Sequence, residues 1–217
     1  MTKRSMTAMA ESAAVDSKTY HHGDLRNALI LAAAELIEES GSVDFAMVEA
    51  ARRAGVSNAA PYRHFKDKDD LLDAVVRLCF MGLTESSLRA IADQELGTEA
   101  AIVALGESYI RYMLEHKPFI DLMWGDHGAR AMDARSTDLR GTGFYVLVDA
   151  VEALCTRDGI APVDPVEIAT QLWSMVHGLS ALAMNDQISH FLPGANTSVL
   201  LEQSIHTFFE GLRSEYA

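Results

Sequence analysis

Several things are scarce in this chain, and each scarcity removes a class of protein. Cysteine occurs twice, at Cys79 and Cys155, each inside an apolar pattern. That usage leaves no disulfide framework and no Cys-x-x-Cys metal site, and both thiols read as buried and free. Proline is held to 5 of 217 residues, so long helices run uninterrupted. No apolar run reaches the roughly 18 residues that a membrane span needs. The first twenty residues, MTKRSMTAMAESAAVDSKTY, lack the continuous apolar core of a signal peptide. A cytoplasmic protein with no membrane partner is expected. Catalytic signatures are missing too: none of the 8 histidines has a glutamate three residues before it, as a helical dimetal site requires. Gly-rich phosphate loops and nucleophile elbows are also absent, so neither a cofactor nor a metal is expected. Basic charge is the last shortage. With 18 Lys and Arg against 31 Asp and Glu, the net charge of −13 argues at first sight against a nucleic-acid partner.

What the chain does have is helical periodicity, with 49% hydrophobic residues and no competing strand pattern. The expectation is an all-α protein of about nine helices. Its small charge surplus of positive sign is also concentrated. From Phe45 to Lys68 there are five basic residues against two acidic ones, whereas from Asp69 onward there are nine against 22. A basic corner on an acidic body would turn only one face toward a polyanion.

That corner is MVEAARRAGVSNAAPYRHFKDKDDL, residues 47–71. Met47, Ala50, Ala51 and Ala54 form one apolar stripe, Gly55 ends the helix, and Val56 plugs the corner. Ser57 is a candidate N-cap for a short second helix over NAAPYRHF, whose small first residues permit close approach to another surface. Asp67, with Asp70 three residues on, signals the start of a long third helix. Helix, glycine turn and basic helix form the helix-turn-helix plan for reading a DNA major groove, although an ordinary αα-corner has the same outline.

The residues then carry a resemblance. Gly41 ending the first helix, F-x-x-x-E-x-A-R-R-A-G-V-S from Phe45 and Y-R-H-F-K-D-K-x-x-L from Tyr62 resemble the TetR repressor family over roughly residues 20–75. LWSMVHGLSAL, with Trp173, His177 and Gly178, is similar to the WHG type of C-terminal domain in that family. The resemblance implies an N-terminal arm (1–19), a three-helix DNA-binding domain (20–67) and a helical effector-binding and dimerisation domain (68–217). It implies a ligand-responsive transcriptional regulator, a repressor, that binds a palindromic double-stranded operator as a homodimer. The different-class alternative is an all-helical enzyme or an adaptor without DNA affinity. Turnover would support the former, and partner binding without salt-dependent DNA binding the latter.

Carried onto this sequence, Asn58 and Ala59 match positions facing base edges, and asparagine can bond adenine in a paired fashion. Tyr62 matches a position meeting sugar, phosphate or base, unless its ring packs under the first helix. His64 and Lys68 match phosphate-facing positions. Ser57, Ala60, Arg63, Lys66, Arg26 and Arg52 complete the expected DNA-facing set, and Phe65 reads as core. Lys3, Arg4, Lys18, His21 and His22 could also lie near phosphate. The second helix departs from the family pattern by carrying Ala46 and Val48, which leaves Asp44 as the expected cap.

Behind the corner the sequence predicts helices over about 68–93, 98–117, 136–157, 165–185 and from 195 on, with a short helix and a Gly-rich loop in PFIDLMWGDHG. Bulky or polarisable residues on them form the candidate pocket for a small apolar or aromatic effector: Phe80, Tyr109, Tyr112, Met113, Met123, Trp124, Phe144, Trp173 and His177. Plain core is the competing reading for most of them, His177 included. Leu172, Met175, Leu179, Leu182, Leu201, Ile205, Phe208, Phe209 and Leu212 form apolar stripes on the last two long helices. Those stripes are expected to meet their symmetry mates in a four-helix interface, or else to complete a monomer's core.

Overall fold

In the computed structural model, residues 22–133 and 139–216 are described, and all regular structure among them is helical. The N-terminal arm, with Lys3, Arg4, Lys18 and His21, lies outside the described residues. Ten α-helices follow one another: α1 His22–Ser40, α2 Met47–Arg53, α3 Lys68–Ile91, α4 Glu99–Glu115, α5 Ile120–Trp124, α6 Asp126–Ala131, α7 Gly143–Asp158, α8 Pro165–Met184, α9 Gln187–Phe191 and α10 Thr197–Tyr216. Short 3-10 helices stand at Pro61–Arg63, Lys117–Phe119 and Leu139–Gly141.

Capping chemistry fixes most boundaries. Asp67 accepts from the Asp70 N–H at 2.9 Å while the Asp70 carboxylate accepts from the Lys66 N–H at 3.1 Å, a reciprocal box that starts α3. Thr98 and Asp164 cap α4 and α8 through bonds from Ala101 and Val166. At α2 the expected cap gives way. Ala46 occupies the N-cap, its N–H donating to Glu49 Oε2 at 2.7 Å, whereas the Asp44 N–H turns back to Ser42 Oγ. The third residue of the helix replaces the missing cap side chain.

Two expectations about local structure are corrected. The segment NAAPYRHF is not an α-helix: Ala60 N–H bonds Ser57 O, then Pro61–Arg63 forms a 3-10 turn. Pro61 has no N–H to give the carbonyl four residues back, and its ring crowds that carbonyl, so the segment tightens into i to i+3 bonds. The Gly-rich stretch after Trp124 is not a loop but the helix α6. A Cβ on Gly128 would stand 1.6 Å from the Met123 carbonyl oxygen, so glycine is there because backbone fills the space a side chain would need. α9 was not foreseen at all, and α7 begins later than expected, at Gly143.

The chain divides into two units. One is Met1–Gly82 with Pro118–Thr137; the other is Leu83–Lys117 with Asp138–Ala217. The first holds the helix-turn-helix corner, with Leu29, Ala33, Ile37, Ala50, Ala51, Phe65, Leu71 and Val75 almost completely buried. The second packs α4, α7, α8 and α10 around Ile102, Val151, Leu154, Leu172, Leu201, Ile205 and Phe209. Both cysteines are buried thiols outside any disulfide, and burial pushes the Cys79 thiol up to about 12. No helix among the described residues is long and apolar enough to cross a membrane.

Candidate nucleic-acid interface

The corner is built by α1, α2 and the segment that follows. α2 ends at a left-handed Gly55 (φ +70°), a conformation that a side chain would strain, and Val56 N–H reaches back to Ala51 O at 3.0 Å. This 6-to-1 closure turns the chain sharply. Beyond it Ser57, Asn58 and Ala59 are open to solvent, while Ala60 and Pro61 are buried. Tyr62 is 59% exposed, so its ring is at the surface and not packed under α1. Arg52, Arg63 and Lys66 are also exposed, His64 and Lys68 are half-buried, and Phe65 is core at 1% exposure.

The cations of the corner are not equivalent. Arg53 is held by both oxygens of Glu39 and by Glu35 of α1, and the hydrogen bond to Glu39 raises its pKa further while lowering that of the carboxyl. The local positive surplus is therefore smaller at the surface than in the sequence. Arg26 lies over the Phe65 ring, 5.0 Å from its centroid, and Lys68 over the Phe45 ring at 4.8 Å. Both stand against rings that position them. Of the expected DNA-facing set, Ser57, Asn58, Ala59, Tyr62, Arg63, Lys66 and Arg52 lie on the surface of one short stretch, and Ala60 is turned inward.

A second polar arrangement in this unit had no sequence signal. Asp73 of α3 accepts from Arg130 Nε at 2.9 Å and Nη2 at 2.8 Å, and His127 Nδ1 lies 2.5 Å from the same carboxylate. Burial alone would push Asp73 up, but the bonds from Arg130 and His127 outweigh it and hold the carboxyl below the ordinary range. A depressed carboxyl stabilises the fold above its unfolded value, and that contribution is lost as pH falls through the lower folded one. Thermal melts of Asp73→Asn and the parent are accordingly expected to differ near neutrality and to converge below about pH 4. A constant gap down to acid pH would show that the charge is not what stabilises.

The candidate effector residues fall into two groups. Phe80, Met123 and Trp124 belong to the first unit, where Phe80 and Trp124 meet edge to face at 5.6 Å. Tyr109, Tyr112, Met113, Phe144, Trp173 and His177 belong to the second. Of these, Tyr112 and Met113 are buried, and the Tyr112 ring meets His116 at a tilt of 51° with centroids 4.3 Å apart. The other four cluster: Tyr109 Oη and His177 Nδ1 share a hydrogen bond of 2.8 Å, and Trp173 lies 5.9 Å from His177 and 6.2 Å from Phe144. Burial pushes the Tyr109 hydroxyl up against an opposing hydrogen bond from Trp173, and burial pushes His177 down. Phenol and imidazole are both uncharged at neutral pH, as an apolar surrounding requires.

The interface candidates also divide. Leu172, Leu201, Ile205 and Phe209 are at most 1% exposed and lie in the core of the second unit, so their side chains are used within the protomer. Met175, Leu179, Phe208 and Leu212 are half-buried, and Leu182 is 45% exposed. α9 adds Phe191, 84% exposed, which sequence reasoning missed because the helix was missed. One cluster of metal-ligand type exists among the described residues, Glu99, His206 and Glu210. Arg213 already bonds both of those glutamates and Asp158, so a guanidinium serves as their counter-ion.

Comparison with known proteins agrees with this geometry. Residues 29–75 match the family described as bacterial regulatory proteins, tetR family, and residues 102–208 match the tetracyclin repressor-like C-terminal domain. The HTH-type transcriptional regulator BetI of Serratia proteamaculans is 34% identical over 84 residues, 37% of this chain and 42% of the relative, so the match spans less than half of that protein. Among solved structures, a Rhodococcus sp. RHA1 protein of unknown function is 29% identical with a TM-score of 0.70, covering 91% of this chain and all of that one. A structure assigned to the TetR family from Mesorhizobium loti MAFF303099 is 19% identical at a TM-score of 0.63, covering 92% of this chain and 100% of its own, a likeness of fold alone. With a helix-turn-helix head matching one profile and the helical remainder matching the other, the chain belongs to the TetR family of bacterial regulators.

Proposed function

We propose that the protein is a ligand-responsive transcriptional repressor that binds a palindromic operator as a homodimer and leaves it when a small apolar or aromatic molecule binds. The observation that carries this reading is the set of exposed side chains between Arg52 and Lys66, where Asn58, Tyr62, Arg63 and Lys66 stand beside Arg52 on an otherwise acidic chain. Phosphate contacts from such cations fix register, and the residues between them meet base edges. Two copies of the stretch must stand about 34–36 Å apart, or a multiple of it, to enter successive major grooves on one side of the duplex.

Dimerisation is supported by the half-buried stripe of Met175, Leu179, Phe208 and Leu212 together with exposed Leu182, apolar surface that a lone protomer leaves in water. For the effector, the cluster of Tyr109, Phe144, Trp173 and His177 offers flat apolar faces with neutral polar edges. A ligand that favours a non-binding arrangement by about 1–3 kcal/mol lowers operator occupancy roughly 5- to 150-fold. Selecting duplexes from a random pool with the full-length protein, then screening compounds for release, tests the proposal. A short inverted repeat and at least one releasing aromatic compound are expected. Release by small polar anions alone would contradict the effector class.

A further inference from the structure

The first exposed turn after Gly55 carries an amide and a methyl group where a guanine reader would carry a cation. Ser57, Asn58 and Ala59 are open to solvent, with Ala60 and Pro61 buried beneath them. The turn itself carries no cation, and three cations of this unit are engaged elsewhere: Arg53 with Glu35 and Glu39, Arg26 over Phe65, and Lys68 over Phe45. Guanine offers the major groove two acceptors, O6 and N7, and calls for two donors from one side chain. A carboxamide has one donor and one acceptor side by side, which fits adenine N6 and N7 and misfits guanine. The side chain of Ala59 has no polar atom, and its counterpart in the groove is the thymine C5-methyl.

Resting on the operator-binding proposal above, we infer that the base pairs met by this turn are A·T, with Asn58 reading adenine and Ala59 packing on a thymine methyl. Arg52, Arg63 and Lys66, exposed but outside the turn, bind phosphate and set affinity without setting sequence. Neither assignment depends on how the two units are placed.

The test uses the full-length protein and its selected duplexes in fluorescence anisotropy at fixed salt. Replacing the contacted adenine by 7-deazaadenine, which lacks N7, is expected to weaken binding about 5- to 150-fold per half-site in the parent and to change nothing in Asn58→Ala. Replacing the thymine by uracil, which removes one methyl, is expected to cost about fourfold in the parent and nothing in Ala59→Gly. Arg63→Ala should weaken matched and mismatched duplexes alike and flatten the salt dependence. Circular-dichroism melts confirm that each variant is folded before its affinity is compared. Selected sites without an A·T pair at this turn, indifference to both modified bases, or a guanine preference that vanishes in Arg63→Ala would each overturn the inference while leaving operator binding intact. A protein that binds no duplex removes the operator-binding proposal itself, and this inference with it.

Discussion

Phe209→Ala is expected to cost the second unit about 3–5 kcal/mol. The ring is completely buried among Ile102, Val151, Leu201 and their neighbours, so truncation removes its transfer free energy and leaves a cavity that packed helices can close only in part. For a chain of this size that loss lowers the melting temperature by roughly 6–20 °C. Phe208, one residue earlier and edge-on to Phe209 at 5.5 Å, is only half-buried. Phe208→Ala should therefore cost the protomer much less, and instead raise the concentration at which sedimentation detects dimers. Chemical denaturation at several protein concentrations separates the two effects. Equal losses in the two variants, both independent of concentration, would place Phe208 in the protomer core and withdraw it from the interface.

Tyr62→Ala is expected to weaken operator binding at least tenfold without changing the melting temperature by more than a few degrees. Its ring is 59% exposed, so little packing is lost, whereas a hydroxyl bonded to a charged phosphate contributes about 1.5–3 kcal/mol at each half-site. Tyr62→Phe distinguishes ring from hydroxyl: a phosphate bond predicts that it behaves like the alanine variant, and base stacking predicts that it behaves like the parent. Lys68→Ala should weaken binding less, because its ammonium is already stabilised over the Phe45 ring. Unchanged affinity in Tyr62→Ala would remove this residue from the interface.

How far the sequence could be read followed the range of the interactions. Caps within four residues were legible where the spacing was specific: Asp67 with Asp70 stands where the sequence places it. The turn at Gly55 was equally local. The corner's second segment departs from the expected α-helix because Pro61, which has no N–H, removes the first α-helical bond. α6 was missed because Gly125 and Gly128 look like loop residues, and only the nearness of the Met123 carbonyl explains the second of them.

Partners distant in sequence were out of reach. Nothing in the chain couples Arg53 to Glu39 or Asp73 to Arg130, and the site's effective charge depends on the first of these pairs. The stripes on α8 and α10 mixed two kinds of residue, since Leu172, Leu201, Ile205 and Phe209 are buried whereas Met175, Leu179, Phe208 and Leu212 are half-buried and Leu182 is exposed. Leu201, Ile205 and Phe209 turn out to be covered by the helices of their own chain, and the flanks of the same helices are more exposed. Periodicity fixes which residues share a face, and the opposing surface is set by tertiary packing.

The salt dependence of binding to a selected operator tests the central claim most directly, since only phosphate contacts by the basic corner could overcome a net charge of −13. If each of two copies neutralises several phosphates, affinity should fall on the order of 1,000-fold or more between 50 and 200 mM salt, with log Kd linear in log salt. Affinity that stays flat across that range, or binding that does not distinguish the operator from unrelated duplex, would contradict it.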